Sequence, residues 1–232
     1  MPPFAGEGMC AGVRDAVAMA WRLNGILEGK FGQDMLDSYT SERIEHAKHY
    51  INFSQELGQI ICIADDAVAA DRDAKMMADL QARGGTPVPT DICQLGQGAW
   101  CADSAHAGEL SVQGLVEAQG KRGRLDQIVG QGWVLLGYDA DPVEALTEAQ
   151  RSQFAQLDGI PLRLSGPQGS AEVIDVNGTI GDWLGRIGAR YVLIRPDFYV
   201  AVTADTPELL QRRFATVMQA LHLTEPQAVA AE

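Results

Sequence analysis

Residues 1–28, Met-Pro-Pro-Phe-Ala-Gly-Glu-Gly-Met-Cys (1–10) running into AGVRDAVAMAWRLNGILE (11–28), decide how the chain is read. Pro2 and Pro3 fix φ and disfavour helix before them, so the chain enters extended. Gly6 and Gly8 permit dihedrals and close backbone approach that a side chain would forbid. From about Met9 apolar residues recur at helical spacing: Met9, Val13, Ala16, Val17, Ala20, Leu23 and Leu27. Gly25 and Gly29 are stop signals. A glycine loop feeding a helix start directs unpaired N–H groups and the positive dipole end at one point, a site for an anion or an electron-rich ring. The spacing Gly6-x-Gly8-x-x-x-Gly12 is one residue off the dinucleotide fingerprint, and no strand precedes it, so the motif alone also fits a plain loop-to-helix cap.

Outward from there, Asp34 reads as the N-cap of a second helix with Asp37 in the capping-box place. Its stripe is Leu36, Tyr39, Ile44, Ala47 and Ile51, with further helix through Ile63 and over 64–82. His46 and His49 stand three apart but lack a carboxylate or thiol constellation, and read as exposed helix residues; no metal site is expected. Arg83–Pro89, dense in glycine and proline, is the boundary, and 83–124 reads as a linker and irregular connection with a strand near Leu110–Val116. Asp103, Ser104 and His106 lie close together without a nucleophile elbow and read as a polar loop.

Residues 125–232 alternate. Strands are expected at Trp133–Tyr138, Ile160–Leu164 and Val173–Val176. Helices are expected from Pro142 to about Leu157 and over Thr179–Ile187. A hairpin, Tyr191–Arg195 with Phe198–Thr203, turns at Arg195-Pro196-Asp197. A last helix, capped by Thr206 and Pro207, carries Leu209, Leu210, Phe214, Val217, Met218 and Leu221 inward. This order is that of a thioredoxin fold. Tyr138-Asp139-Ala140-Asp141 stands where C-x-x-C would be, which excludes dithiol chemistry.

Composition sets the outer bounds. A net charge of −13 over 232 residues disfavours nucleic acid and anionic membrane as partners. No apolar run reaches the ~18–20 residues that span a bilayer, and there is no secretory signal pattern. Four cysteines without metal or redox spacing fit a reduced cytoplasmic setting.

The string over residues 2–27 closely resembles the FAD-dependent aromatic hydroxylases, the class A flavoprotein monooxygenases of the 3-(3-hydroxyphenyl)propionate hydroxylase type. Leu36, Tyr39, Glu42 and Arg43 match the family's L-x-x-Y-x-x-E-R helix. YVLIRPDFYVA (191–201) resembles the strand pair of its thioredoxin-like domain, with Phe198 where the family has glycine. The resemblance implies an α/β architecture: residues 1–82 as the helical part of an FAD-binding domain, 83–124 as connection, 125–232 as the thioredoxin-like domain. It implies ring hydroxylation with FAD, NAD(P)H and O2 on a phenolic or phenylpropanoid substrate, and leaves a homodimer open. Pro3, Gly6, Gly8, Met9 and Cys10 would contact the flavin through the backbone, with Met9 and Cys10 amides toward its O2 edge and the Pro3 carbonyl on the substrate side. No side chain is assigned a catalytic role. Arg14 and Asp15 match the family's Arg-Asp pair, with an orienting role or a solvated ion pair as equal readings.

The family's upstream dinucleotide and Gly-Asp motifs are not in this sequence, so the expectation is a C-terminal portion, inactive alone. The alternatives are a stand-alone thioredoxin-like interaction or oligomerisation module, and a subunit completing a flavoprotein in trans.

Overall fold

The computed structural model describes residues 2–86 and 93–223. Pro87, Val88 and Pro89 of the expected boundary lie outside the described residues.

Pro3–Ala5 form one 3-10 turn, and Gly6 at φ 66° reverses the chain into helix α1, Glu7–Leu27. The helix thus begins two residues before Met9. The apolar stripe proves to be the outer face: Met9, Val13, Leu23 and Leu27 are exposed, while Ala11, Ala18, Trp21, Arg22 and Gly25 are buried. Helical periodicity fixes a face but not its direction, and here the inward surface is made by Ala11, Ala18 and Gly25, which allow close approach, together with Trp21 and the ion-paired Arg22.

Helix α2, Met35–Ile61, is continuous. Asp34 occupies its N-cap without a side-chain capping bond, so the expected box with Asp37 does not form. Its buried face is largely polar, Glu42, Arg43, His46 and Ser54, and Ile44 is exposed. Helix α3, Asp66–Ala82, is capped by Asp65, which accepts from the Ala67 and Val68 amides, and buries none of its residues.

A mixed sheet follows. Strands β1 (Leu115–Ala118) and β2 (Lys121–Arg124) form a hairpin, then come α4 (Leu125–Val129), β3 (Val134–Tyr138), α5 (Glu148–Gln156), β4 (Ile160–Ser165), β5 (Val173–Asp175), α6 (Thr179–Ile187), β6 (Tyr191–Ile194), β7 (Val200–Ala204) and α7 (Pro207–Ala220). Among the described residues the strand order is β2-β1-β5-β4-β3-β6-β7. β4 runs parallel to β3, while β6 is antiparallel to β3 and β7 to β6. These four strands with α5, α6 and α7 have the thioredoxin arrangement. The β1–β2 hairpin extends it inside a stretch that read as irregular; four-residue strands rich in charge, around Gly120 and Gly123, carry little alternation to read.

Helix α5 starts at Glu148, not Pro142. The Asp141 carboxylate takes the amides of Val143 and Glu144 and holds a turn there, and Thr147 with Gln150 makes the capping box. Gly178 caps α6 in the left-handed region, as Asn177-Gly178 suggests. Around Cys101 and Gly108 the connection packs along β7: the Cys101 amide donates to Ala201 and that of Gly108 to Val200. Ser104 is buried, its hydroxyl accepting from the Thr203 amide at 2.7 Å, and His106 faces Glu109, so the two serve the packing of this loop.

One core lies between the sheet, α5, α7 and the start of the chain, joining Trp133, Leu146, Phe154 and Phe214 to Trp21, Phe31 and Met35. The other face of the sheet is covered by α6 and α4, with Ile180, Trp183 and Leu184 on Leu136, Leu164 and Val192.

Candidate functional site

The chain's start is pinned to α2 at two places. The Ser54 hydroxyl donates to the Pro2 carbonyl at 2.6 Å. The Phe4 ring lies on Gly58, where a Cβ would come within 2.5 Å of it. Between these anchors the Pro3 carbonyl accepts the Gly6 amide at 3.1 Å, closing the turn.

With Gly6 as N-cap, helix geometry leaves the amides of Glu7, Gly8 and Met9 without an intrahelical acceptor. Gly8, Met9 and Cys10 are exposed, and a Cβ at Gly6, Gly8 or Gly12 would meet nothing within 4 Å. Pro3, Gly6, Gly8, Met9 and Cys10 are thus all exposed at a positive dipole end, where the free donors are the Glu7, Gly8 and Met9 amides. Pro3 has no N–H, and the Gly6 amide is spent on Pro3. Cys10 lies one residue past the free amides, so its amide is not the donor the sequence suggested. Such a surface fits a flat ring edge that carries partial negative charge. Glu7 is drawn off it by Arg14 at 3.1 Å, while Asp15 pairs with Arg43 at 2.7 Å, so Arg14 and Asp15 serve different partners rather than each other.

Toward the other end of α1 lies a buried charge cluster that sequence reading did not single out. The Glu42 carboxylate accepts from Arg22 at 2.7 Å, from both terminal nitrogens of Arg195 at 2.8 Å, and from the Ala99 amide at 2.6 Å. Arg195 also donates to both oxygens of Asp197, at 2.9 and 2.5 Å. Asp197 takes the indole N–H of Trp21 at 3.0 Å. Two guanidinium and two carboxylate groups thus balance with no net charge, all but inaccessible to solvent. Burial alone would raise the Glu42 carboxyl, but Arg195 and Arg22 outweigh it and hold the group below the usual carboxylate range. Asp197 is held low in the same way by Arg195, Trp21 and Arg22. The legible signal was the Glu42-Arg43 and Arg195-Pro196-Asp197 text; what could not be read was that the two meet.

His46, expected on the surface, is buried against Tyr50 and Tyr199, its Nε2 3.4 Å from the Tyr199 hydroxyl. Burial, then the charges of Arg43 and Arg14, push it down to about 4, so it is neutral near pH 7. Among the described residues no group of histidines, cysteines and carboxylates could hold a metal ion, and no helix is long and apolar enough to cross a membrane.

Residues 1–54 match a family described as FAD binding domain, and residues 108–220 one described as HcaD C-terminal domain. This chain is a relative of the FAD-dependent aromatic hydroxylases. It is 31% identical over 212 residues to a probable NADH-specific resorcinol 4-hydroxylase of Rhodococcus jostii (strain RHA1), covering 90% of this chain and 39% of that protein. It is also 31% identical over 228 residues to 3-(3-hydroxy-phenyl)propionate/3-hydroxycinnamic acid hydroxylase 2 of Burkholderia vietnamiensis (strain G4 / LMG 22486), covering 88% and 42%. The chain spans about two fifths of the length of these two relatives. Its fold is that of the matching part of aklavinone-11 hydroxylase, solved with FAD and aklavinone (TM-score 0.63, 22% identity, 94% of this chain and 42% of that one). Anhydrotetracycline hydroxylase OxyS from Streptomyces rimosus is comparable (TM-score 0.61, 18% identity, 93% and 41%).

Proposed function

We propose that this hydroxylase relative supplies the flavin-facing loop and the C-terminal α/β part of an enzyme that hydroxylates a phenolic ring using FAD, O2 and NAD(P)H. The observation that carries the reading is the exposed start of α1, lying within the stretch that matches the FAD binding domain family. When bound, the flavin supplies the oxygen chemistry, and the protein orients it and tunes its electronics.

The Met9 amide, with the Cys10 main chain next to it, faces the pyrimidine edge of the ring. Gly6 and Gly8 let the backbone approach, and the dipole of α1 favours negative charge there. The Pro3 carbonyl lines the substrate side. Phe4 on Gly58 and Ser54 on Pro2 keep this loop from moving with the ligand. The buried charge cluster fixes the other end of α1, so the loop is presented on a rigid element.

The test is reconstitution. This chain is mixed with a polypeptide carrying the part of the Rhodococcus resorcinol hydroxylase that it does not match. Flavin retention and phenol-dependent NADH oxidation are then measured. Both should require this chain. Flavin retention that is indifferent to its presence would refute the reading, and micromolar flavin binding by this chain alone would refute the division of labour.

A further inference from the structure

A cleft lies at the other half of α1. It has a volume of about 520 Å3, within the range of small-molecule sites, and is lined by Ala20, Trp21 and Asn24 of α1 and by Gln131, Trp133 and Pro196 from the α/β part. Ala20 follows Met9 by eleven residues, roughly 16 Å along the helix, so the cleft is separate from the flavin-facing loop.

We propose that this cleft binds a small uncharged aromatic compound, a phenol by class. Its floor is already an edge-to-face aromatic array: Trp21 meets Trp133 at 5.6 Å and Phe31 at 5.9 Å, both nearly perpendicular. The guanidinium groups of Arg22 and Arg195 stand over the Trp21 ring at 4.3 and 5.2 Å, and its N–H is spent on Asp197. Trp21 is 8% exposed and Trp133 3%, so what they offer the cleft is the apolar margin of a packed aromatic array rather than a polar group, and a third ring meets that margin. The amides of Asn24 and Gln131 supply the few polar contacts that orient a hydroxyl.

The rim decides the charge. Lys30 closes one end, but it is held between Glu28 at 2.8 Å and Asp158, so two carboxylates share one ammonium and the rim is net negative. A ligand carboxylate would meet two like charges there, whereas a phenolic O–H can donate to either.

The experiment is a titration of the 15N-labelled chain with phenol, read on the indole N–H signals. Those of Trp21 and Trp133 should shift together, with half-saturation on the order of 1 mM for so small a ligand, while that of Trp183, on the other face of the sheet, stays put. Benzoate should bind at least about tenfold more weakly, and Asp158→Asn should narrow that gap. Ala20→Phe fills the cleft from an exposed position; it should abolish the phenol shifts while leaving the thermal midpoint in place. Static Trp21 and Trp133 signals, equal shifts at Trp183, or undiminished binding by a folded Ala20→Phe chain would each overturn the proposal.

Discussion

Glu42 is the residue on which most other contacts depend. Replacing it by glutamine keeps its shape but leaves Arg22 and Arg195 buried with one carboxylate between them. The expected loss is about 3–5 kcal/mol, measured by urea unfolding at pH 7. Because the Glu42 and Asp197 carboxyls sit below their ordinary range in the folded chain, their contribution is full above the unfolded values near 4 and fades as pH falls through the lower folded ones. His46 acts at higher pH. Its folded value of about 4 lies below the ordinary 6.5, so the unfolded chain takes up the proton first. Stability should decline as pH drops from about 6.5 toward 4, and His46→Phe should flatten that slope in urea midpoints measured across the interval. An unchanged slope would mean that His46 does not control it. Phe198 holds φ 67° in the β6–β7 turn, a conformation that favours glycine. Its amide donates to the Arg195 carbonyl at 2.9 Å, so the turn closes in a strained form.

At the scale of elements, the glycines of α1 divide by what surrounds them. A Cβ at Gly25 would fall 2.1 Å from the Phe31 ring, so Gly25→Ala should cost about 1–3 kcal/mol through overpacking. Gly8 faces open space, and Gly8→Ala should leave the isolated chain unchanged or steadier by up to about 1 kcal/mol, since alanine is the better helix residue. In the reconstituted enzyme the same change should abolish flavin retention; an enzyme that keeps its flavin would argue against backbone approach at that point. The pair of measurements separates a residue kept for a ligand from one kept for folding. Much of this scale was legible. Strands β3, β4, β6 and β7 with α6 and α7 follow from apolar runs punctuated by Asn177-Gly178, Pro196 and Thr206-Pro207, because local chemistry sets those boundaries. The inward face of α1 and the polar face of α2 were not legible. Their burial depends on charges from residues about 150 positions apart finding one another, which no local period encodes.

Across the molecule, Trp21, Phe31 and Met35 sit in the same core as Trp133 and Phe214, so the helical start and the α/β part should unfold in one transition. Near- and far-ultraviolet circular dichroism should give coincident urea curves, and two separated curves would contradict a shared core. Helix α3, which buries nothing, should exchange its amide hydrogens far faster than α7. The closed quartet of Arg22, Glu42, Arg195 and Asp197 also has a hereditary consequence. A change at any one of the four strands a buried charge, so single substitutions are selected against even though the group is closed to solvent. These positions can drift only in compensated sets. A lineage carrying this fold would therefore keep this joint almost fixed.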